Sequence, residues 1–429
     1  MKKNVYIYTY GCQMNVHDSE KMLGLLSDKG YAGTTDPEDA DLIIFNTCAI
    51  RAKAEQKFFS QLGRTRLLKK KRPDLKIAVA GCVAQEAKEK LLKKAPFVDL
   101  VLGPQNIHSL GDLVGRGAGI CVDESNDSIA AEDFTVQRQS NIKAWVSIMY
   151  GCNNFCSYCI VPYTRGREVS RPSAGILSEV ASLADAGYRE VTLLGQNVNS
   201  YAGDIDFVEL LRRIDKLGVP RVRFVTSHPR DFSPELINAV SELPSICEHI
   251  HLPIQSGSDR ILNLMNRRYK YAEYREKVRL LRSSIPDVSI TADIIVGFPG
   301  ESREDFEQTV EAVGEIEFDG LFAFKYSPRI GTKACSMDDQ IEDDVKSERL
   351  GRILKLQEDI TYRKNRMLEG KELEILIDGV SDTDPGVLAG RTRGNKIVTI
   401  PMSNSRAGDF VNVRIEKARL HSLGGSPVE

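Results

Sequence analysis

The chain of 429 residues contains no apolar run of membrane-spanning length and no excess of positive charge. A helix that crosses a bilayer needs about 20 consecutive apolar residues. The start Met1-Lys2-Lys3 leads into a short apolar run that already contains polar residues, which favours a first strand over a signal peptide. The net charge of −2 excludes a globally basic nucleic-acid coat, although it does not exclude local basic patches. We therefore expect a cytoplasmic protein without a membrane partner.

The length predicts about three domains. We expect an N-terminal domain over residues 1–120, a polar linker over 121–137, a central domain over 138–368 and a C-terminal domain over 369–425. The nine cysteines are odd in number and widely scattered, which favours free thiols or metal ligands in a reducing compartment over disulfides. We therefore expect an α/β protein in which some of the cysteines bind a metal centre.

Three of these cysteines, Cys152, Cys156 and Cys159, lie within eight residues in one loop. An iron–sulfur cube has four irons, so three thiolates leave one iron without a protein ligand and open to chemistry. The alternative is a zinc site, which normally needs a fourth ligand nearby. No further His or Cys follows this loop until His228. The spacing therefore favours an iron–sulfur cluster with an open iron over zinc.

Three strand-like runs in the N-terminal third lead to Cys12, Cys48 and Cys82, with helix-like segments between them. This alternation predicts a parallel sheet, in which the carboxyl ends of the strands share one edge. The three cysteines would then converge and hold a second cluster, again with an open iron. The alternative is that each is an ordinary buried thiol. We interpret the remaining cysteines, Cys121, Cys247 and Cys335, as structural.

Six strand-like runs alternate with amphipathic helices in the central domain, which predicts a (β/α) barrel or partial barrel. Polar residues follow these strands, at the end where such barrels carry their chemistry. The candidates for contact with a polar cosubstrate are Gln196, Asn197, Ser227, Gln255 and Asp293. Asp293 is included because it interrupts an apolar strand, and a buried carboxylate needs partners. Arg165, just past the cysteine loop, is expected to bind a carboxylate or a phosphate.

Short alternating segments near the C-terminus predict a small antiparallel β-barrel. Residues 391–419 hold seven basic residues and two acids, a local net charge of +5, which suits RNA; an ordinary charged surface is the alternative. The candidate RNA contacts are Arg391, Arg393, Lys396 and Arg414. A second basic run, 64–72, carries six positive charges and no acid. It predicts either a solvated helix end or a phosphate-facing patch.

The spacing of the cysteine loop resembles that of the radical S-adenosylmethionine (SAM) enzymes. The three-domain order further resembles the methylthiotransferase family, in which the C-terminal barrel is similar to a TRAM domain. The resemblance covers essentially the whole chain and is carried by residues 10–15, 45–48, 151–166, 194–201 and 390–395. Ile330 is a departure, since proline would be expected there; the change affects a loop and leaves the cysteines untouched.

This resemblance implies two 4Fe-4S clusters, one on each set of three cysteines, with SAM as cosubstrate. The loop cluster would cleave SAM to a 5′-deoxyadenosyl radical that abstracts hydrogen from adenine. The second cluster would carry the sulfur that a further SAM methylates before transfer. The five polar candidates of the central domain would then contact SAM. The substrate would be N6-(dimethylallyl)adenosine beside the anticodon, and the partners a tRNA anticodon stem-loop and an electron donor such as a flavodoxin or ferredoxin, with the enzyme a monomer.

Other members of the family modify threonylcarbamoyladenosine in tRNA or an aspartate of a ribosomal protein, and both remain alternatives. A third alternative is a protein without catalysis, either an electron carrier or an RNA-binding scaffold. Electron carriers usually saturate their irons with four cysteines, so two clusters with three cysteines each argue against that function.

Overall fold

The computed structural model describes residues 2–50, 52–131 and 134–428. In chain order it forms a six-stranded sheet, two three-stranded sheets that together make a partial barrel, and a closed barrel of five strands. The predicted α/β architecture is thereby confirmed. Within the described residues, no helix is both long enough and apolar enough to cross a bilayer.

The N-terminal sheet contains β1 (Lys3–Thr9), β2 (Tyr31–Gly33), β3 (Leu42–Thr47), β4 (Lys76–Gly81), β5 (Leu100–Leu102) and β6 (Gly119–Cys121). Its helices are α1 (Gln13–Ser27), α2 (Ala52–Lys71), α3 (Cys82–Ala87), α4 (Glu89–Lys94) and α5 (Leu110–Arg116). All pairings are parallel, in the order β2-β1-β3-β4-β5-β6. The strands β1, β3 and β4 are the predicted apolar runs, whereas the other three are too short to give a periodic pattern.

The register of this sheet aligns the ends of its three central strands. Thr9 of β1 pairs with Asn46 of β3, and Thr47 of β3 pairs with Gly81 of β4. Because the strands are parallel, the residues that follow them emerge at one edge. The chain therefore delivers Cys12, Cys48 and Cys82 to the same edge of the sheet.

The segment between the first two domains is not wholly irregular. The expected linker includes the end of β6 and a short helix, α6 (Asp127–Ala131). Residues 132 and 133 of that linker lie outside the described residues. We keep the domain limits at 120, 138 and 369 as a proposal. The limits at 138 and 369 fall between elements of the structure, whereas residue 120 lies inside β6. The expected end at residue 425 falls inside the last strand of the chain.

The central domain contains the strands β7 (Lys143–Ser147), β8 (Met149–Tyr150), β9 (Val169–Ser170), β10 (Glu190–Leu194), β11 (Arg221–Phe224), β12 (His249–His251), β13 (Ser289–Val296) and β14 (Gly320–Lys325). Its helices are α7 (Val161–Thr164), α8 (Ser173–Asp185), α9 (Phe207–Asp215), α10 (Pro234–Glu242), α11 (Asp259–Leu264), α12 (Tyr271–Ser284), α13 (Arg303–Ile316) and α14 (Asp343–Arg366). The parallel sheets β11-β10-β7 and β12-β13-β14 are joined where Val222 pairs with Ile246. This gives the expected six-stranded partial barrel, with β7 and β14 at its edges.

The inner face of the partial barrel is polar. Alternate residues such as Val222, Phe224 and Ile294 belong to the core packed under the helices. Because side chains alternate along a strand, their neighbours point into the barrel. Those neighbours include Arg223 of β11 and Asp293 of β13. Interiors of complete barrels are filled with branched apolar side chains, so this interior is suited to binding rather than packing.

The C-terminal barrel contains β15 (Glu372–Val380), β16 (Val387–Thr392), β17 (Ile397–Pro401), β18 (Phe410–Ala418) and β19 (Leu423–Pro427). It closes in the order β15-β16-β17-β19-β18, and every pairing is antiparallel except the parallel pair β17–β19. The expected small β-barrel is therefore present. Its fifth strand, β19, begins Leu-Gly-Gly and lacks the alternating pattern that sequence reasoning relies on.

The C-terminal barrel docks on the first residues of the central strands. Arg221 donates to the backbone oxygen of Arg391 at 2.7 Å, and Arg223 donates to that of Thr392 at 2.8 Å. The carboxylate of Glu248 accepts from Arg393 at 2.8 Å. These contacts cover the end of the barrel opposite to the cysteine loop.

Candidate active site

The cysteine loop follows β8, and we call Cys152, Cys156 and Cys159 the loop trio. Gly151 precedes it with φ +71°, and a Cβ there would stand 2.0 Å from the backbone oxygen of Arg167, so only glycine fits. Burial, with a smaller contribution from Cys156, raises the pKa of the Cys152 thiol to about 11. Burial and the same neighbour raise the pKa of Cys159 as well. A metal that binds here must displace their protons.

Donors from the chain surround the sulfur atoms of the loop trio. The backbone N–H of Asn154 lies 3.5 Å from Sγ of Cys152, and Nη1 of Arg267 lies 3.5 Å from Sγ of Cys156. Asn266 fixes the loop by donating to the backbone oxygens of Asn154 and Phe155 at 3.1 and 3.0 Å. Positive and N–H donors stabilise thiolate sulfur. Sequence reasoning missed Arg267 and Asn266, because no pattern links them to a loop more than a hundred residues earlier.

These surroundings fit an iron–sulfur cluster, which cysteine thiolates hold. The donor set is purely sulfur, and the three thiols interact with one another. In the described ranges, no group of three His, Cys, Asp or Glu side chains is placed to hold a single metal ion. Thiolates that bind different irons of one cube stand farther apart than the ligands of one ion.

Cys12, Cys48 and Cys82, which we call the sheet trio, follow β1, β3 and β4. Gly11 lies directly against Cys48, since a Cβ on Gly11 would come within 2.7 Å of the Cys48 sulfur. Asn15 of α1 ties the strand ends together by donating to the backbone oxygens of Tyr10 and Thr47, both at 2.9 Å. The structure therefore brings together the three residues that the topology rule predicted to converge.

Arg165 connects the segment after the loop trio to the sheet trio. It is 5% exposed and donates to Asp18 at 2.8 Å and to Asn15 at 2.9 Å. Burial raises the pKa of the Cys82 thiol, and Arg165 opposes that rise. The expected carboxylate partner of Arg165 is thus a residue of the N-terminal domain. The contact places one cation beside the sulfurs of the sheet trio.

Three of the five predicted cosubstrate contacts carry buried polar atoms without a partner. These atoms are Oε1 of Gln196, Oγ of Ser227 and Oε1 of Gln255, and none forms a hydrogen bond with any part of the described chain. Thr226 and Gln255 also adopt φ values of +68° and +71°, which are strained for side chains of these types. Orphaned buried groups and backbone strain together indicate a polar ligand at these strand ends.

The other two predicted contacts already have partners. The amide of Asn197 donates to Asp231 at 2.8 Å and accepts from the backbone N–H of His228 at 3.1 Å, so it organises the loop after β11. Asp293 lies on the inner face, with Oδ2 3.6 Å from Nε2 of His251. His251 in turn shares a hydrogen bond with Thr291 at 3.0 Å. Both residues belong to the site, but a ligand would have to compete with these contacts.

Two phenylalanines on the open edge of the barrel face the same interior. Phe322 pairs with Asp293, and Phe324 pairs with Ile295. Their neighbours Leu321 and Ala323 pack under the helices, so the two rings point inward, where they are 57% and 42% exposed. Exposed aromatic side chains on an inner face are unusual. They form an apolar wall beside the polar residues His251 and Asp293.

A cavity of about 400 Å³ lies between the three domains. Gln13, next to Cys12, borders it from the N-terminal domain. Trp145 and Arg223 border it from the central barrel, and Arg391 and Asn395 from the C-terminal barrel. A volume of this size suits a small molecule or one nucleoside. This cavity could not be predicted from the sequence, because its walls come from residues far apart in the chain.

All four predicted RNA contacts have partners within the chain. Arg391 lies 3.7 Å from Asp378, and Arg393 binds Glu248. Lys396 lies 3.6 Å from Asp319, and Arg414 lies 2.7 Å from Glu372. Of the four, Arg391 alone borders the cavity. Contact of these residues with RNA therefore stays a prediction, and the geometry favours Arg391.

Comparison with known proteins gives three family matches along the chain. Residues 4–103 match "Uncharacterized protein family UPF0004", residues 146–313 match the radical SAM superfamily, and residues 366–428 match the TRAM domain.

The chain is 55% identical over 98% of its length to a tRNA-2-methylthio-N(6)-dimethylallyladenosine synthase from Thermodesulfovibrio yellowstonii, of which it covers 98%. It is 51% identical over 99% of its length to the protein of the same name from Syntrophus aciditrophicus, of which it covers 94%.

Solved structures share the fold at low sequence identity. The radical SAM methyltransferase TsrM from Kitasatospora setae, solved with cobalamin and a 4Fe-4S cluster, aligns with a TM-score of 0.56 at 16% identity. The alignment covers 78% of this chain and 77% of that one. The cobalamin-dependent radical SAM enzyme OxsB aligns with a TM-score of 0.51 at 11% identity, over 83% of this chain and 56% of that one. At these identities the likeness concerns the fold alone.

Proposed function

The chain belongs to the family of tRNA-2-methylthio-N(6)-dimethylallyladenosine synthases, and from this premise we propose how its residues divide the reaction. It is a radical SAM enzyme that adds a methylthio group to the adenine of N6-(dimethylallyl)adenosine next to the tRNA anticodon. The observation that carries the proposal is the presence of two separate trios of thiols, one in a loop and one at a sheet edge. A single trio would account for SAM cleavage but not for a second sulfur centre.

We propose that each trio holds one 4Fe-4S cluster. When bound, the cluster on the loop trio supplies the electron for reductive cleavage of SAM, and the cluster on the sheet trio supplies the site for the transferred sulfur. Arg267 offers its cation to Cys156, and Arg165 offers its cation to Cys82. Arg165 thereby opposes the rise in the pKa of the Cys82 thiol that burial causes.

The strand ends of the barrel are the proposed SAM site. Gln196, Ser227 and Gln255 present buried atoms that need hydrogen-bond donors, and SAM carries amino and hydroxyl groups that can supply them. Asn197 holds the loop after β11 in place, and Asp293 lies close enough to the interior to accept a further donor. The side chains orient SAM and exclude water from it.

The open side of the barrel is the proposed entrance for the flipped base. Extracting a base from its stack costs a few kcal/mol, and contacts in the pocket must offset that cost. Trp145 and Arg391 border the cavity and offer a stacking ring and a cation for phosphate. The exposed rings of Phe322 and Phe324 suit the apolar dimethylallyl group. A threonylcarbamoyl group carries a carboxylate, which the two rings and Asp293 would disfavour.

The remaining assignments follow from the same function. The four basic residues proposed to face the anticodon stem-loop are Arg391, which borders the cavity, and Arg393, Lys396 and Arg414. A flavodoxin or ferredoxin would supply the electron, the enzyme would act as a monomer, and its tRNA substrate would place it in the cytoplasm.

The direct test is nucleoside mass spectrometry of tRNA from cells that lack the gene. We expect N6-(dimethylallyl)adenosine to accumulate and its methylthio derivative to disappear, with recovery on complementation. An unchanged tRNA profile together with an altered ribosomal protein would overturn the proposed substrate. Loss of a methylthio group from threonylcarbamoyladenosine alone would point to the other tRNA substrate. The reconstituted enzyme should contain about eight irons per chain if both trios hold four-iron clusters.

A further inference from the structure

Helix α2 carries six basic side chains that have no ion-pair partner in the described chain. They are Lys53, Lys57, Arg64, Arg66, Lys70 and Lys71, and all are exposed. The only acid of the helix, Glu55, is bound by Arg329 at 3.1 Å, and two further cations, Lys69 and Arg72, pair with Asp99 and Asp41. The six remaining charges are therefore uncompensated.

The spacing of these residues produces a stripe along the helix. Four of these residues follow one another at intervals of four, seven and seven residues and therefore share one face of the helix. They are Lys53, Lys57, Arg64 and Lys71. The opposite face carries Phe58 and Leu62, which are buried in the core. At 1.5 Å per residue the stripe extends about 27 Å. A face this long and this narrow matches a phosphate backbone better than it matches a compact anion.

The stripe begins beside the candidate active site. Ile50, two residues after Cys48, accepts a hydrogen bond at 2.8 Å from Arg329, which lies in the loop after β14 at the open edge of the barrel. Helix α2 starts at Ala52 and leads away from this point. If one nucleotide of an RNA strand inserts into the barrel, the adjoining nucleotides can therefore lie along the stripe.

The C-terminal barrel differs from α2 because the four cations predicted to contact RNA there are already paired with acids. The four predicted RNA contacts there each face an acid within the chain. An arginine that must leave a carboxylate to bind a phosphate gains less than one that is free. The six cations of α2 face no such acid among the described residues, so their charge is available to a phosphate backbone.

We propose that the exposed basic face of α2 binds the phosphate backbone of the tRNA arm that carries the target base. This inference rests on the proposed function for the identity of the RNA. Its physical basis is counterion release, which makes free surface cations the main source of affinity for nucleic acid. The N-terminal domain would then contribute to substrate binding as well as to sulfur transfer.

An acidic electron-donor protein is the other kind of partner that a basic face could attract. Such docking sites are usually small patches, whereas this face is a narrow stripe as long as the helix. The shape therefore favours RNA, and the experiment below separates the two partners.

The test uses the full-length reconstituted enzyme with the triple variant Lys57→Ala/Arg64→Ala/Lys71→Ala. Binding of prenylated tRNA is measured by fluorescence anisotropy over a series of salt concentrations. We expect affinity to fall about tenfold and the slope of log K against log salt to decrease by about 2 to 3, since each phosphate contact contributes about 0.7–0.9. Iron content and SAM cleavage without tRNA should match the wild type, which shows that the variant is folded.

The matched control removes three exposed lysines of the same domain, Lys90, Lys93 and Lys94, on the short helix α4. This control should leave affinity and salt slope unchanged within about twofold. Equal affinity of wild type and the α2 variant would overturn the proposal. So would a variant that binds tRNA normally and works with dithionite but fails with flavodoxin, because the face would then dock the electron donor. Failure of the wild type to modify tRNA would instead overturn the proposed function, whatever the binding result.

Discussion

The loop trio and the sheet trio each consist of three cysteine thiols, but the fold brings the thiols of each trio together in a different way. Cys152, Cys156 and Cys159 lie in one loop that local backbone geometry shapes, with Gly151 as its required glycine. The sheet trio comes from three strands, and its convergence depends on the parallel register of the whole sheet. The first arrangement needs only short-range contacts, whereas the second needs a folded domain.

Each trio also has one buried arginine, and the two arginines differ in origin. Arg267 reaches the loop trio from the turn before α12 of the same domain. Arg165 reaches the sheet trio from another domain and is held there by Asp18. The loop trio is therefore completed within one domain, and the sheet trio only when two domains meet. The following experiments test this difference, in order of decreasing effect.

Removing a ligand of the loop trio should abolish every step. We expect Cys156→Ala to lower both 5′-deoxyadenosine formation and tRNA methylthiolation by more than about a thousandfold, because no SAM is cleaved without that centre. Chromatography of 5′-deoxyadenosine after dithionite reduction provides the measurement. Cys335→Ala, outside both trios, is the control and should behave as wild type. Substantial SAM cleavage by the Cys156 variant would contradict the assignment.

Removing the sheet trio should separate the two halves of the reaction. The triple variant Cys12→Ala/Cys48→Ala/Cys82→Ala should lose methylthio product by about a hundredfold or more. It should still cleave SAM, and its iron content should fall from about eight to about four per chain. Iron analysis and nucleoside mass spectrometry measure the two effects. An iron content equal to that of the wild type would exclude a cluster on these three residues.

Breaking the contact between Arg165 and Asp18 should weaken the sheet trio selectively. Arg165→Met leaves a buried carboxylate without its cation, and loss of one partner from such a pair costs about 3–5 kcal/mol. We expect a lower midpoint of thermal unfolding and incomplete iron loading, with SAM cleavage retained. Arg165→Lys, which keeps the charge, should recover part of the loss. If Met and Lys at this position behave alike, the charge of Arg165 is not what matters.

Changing the apolar wall should spare both trios and affect only the substrate. Truncating one apolar contact of a pocket costs about 1–3 kcal/mol, so Phe322→Ala should lower kcat/KM for prenylated tRNA about tenfold or more. Iron content and SAM cleavage without tRNA should not change. The control compares tRNA whose adenosine lacks the dimethylallyl group, for which wild type and variant should be similarly poor. An equal loss on both tRNAs would show that Phe322 does not contact the prenyl group.

The elements that follow from local pattern were predictable in detail. The six strands of the central barrel and the cysteine loop are each encoded by contiguous residues, so periodicity and spacing suffice to find them. The three-residue strands β2, β5 and β6 and the glycine-rich β19 were missed for the converse reason. Tertiary pairing makes these segments strands, since they carry too few residues, or too few apolar ones, to give a signal.

The candidate site also contains some residues that local sequence pattern predicts and others that it does not. Polar residues after strands could be named from the sequence, and three of them prove to have orphaned atoms. Other parts of the site could not be predicted from the sequence, because each depends on which face of a strand or loop turns inward. These parts are Arg267, the exposed rings of Phe322 and Phe324, and the cavity beside Trp145. The pairing of Arg391, Arg393, Lys396 and Arg414 with acids was equally invisible, since Asp319 and Glu248 belong to other parts of the chain.

The amino-acid sequence alone predicts two sets of three cysteines, a partial barrel and a small basic β-barrel. Cysteine spacing and strand–helix alternation are local patterns that encode these features. For the sheet trio, one topological rule was also needed, namely that the carboxyl ends of parallel strands share one edge of the sheet. The tertiary structure decided which charges are free and which are already paired. The four cations predicted to contact RNA in the C-terminal barrel face acids, whereas six exposed cations of α2 have no ion-pair partner among the described residues. Electrostatic attraction for RNA depends on the neighbours of a cation as well as on its presence.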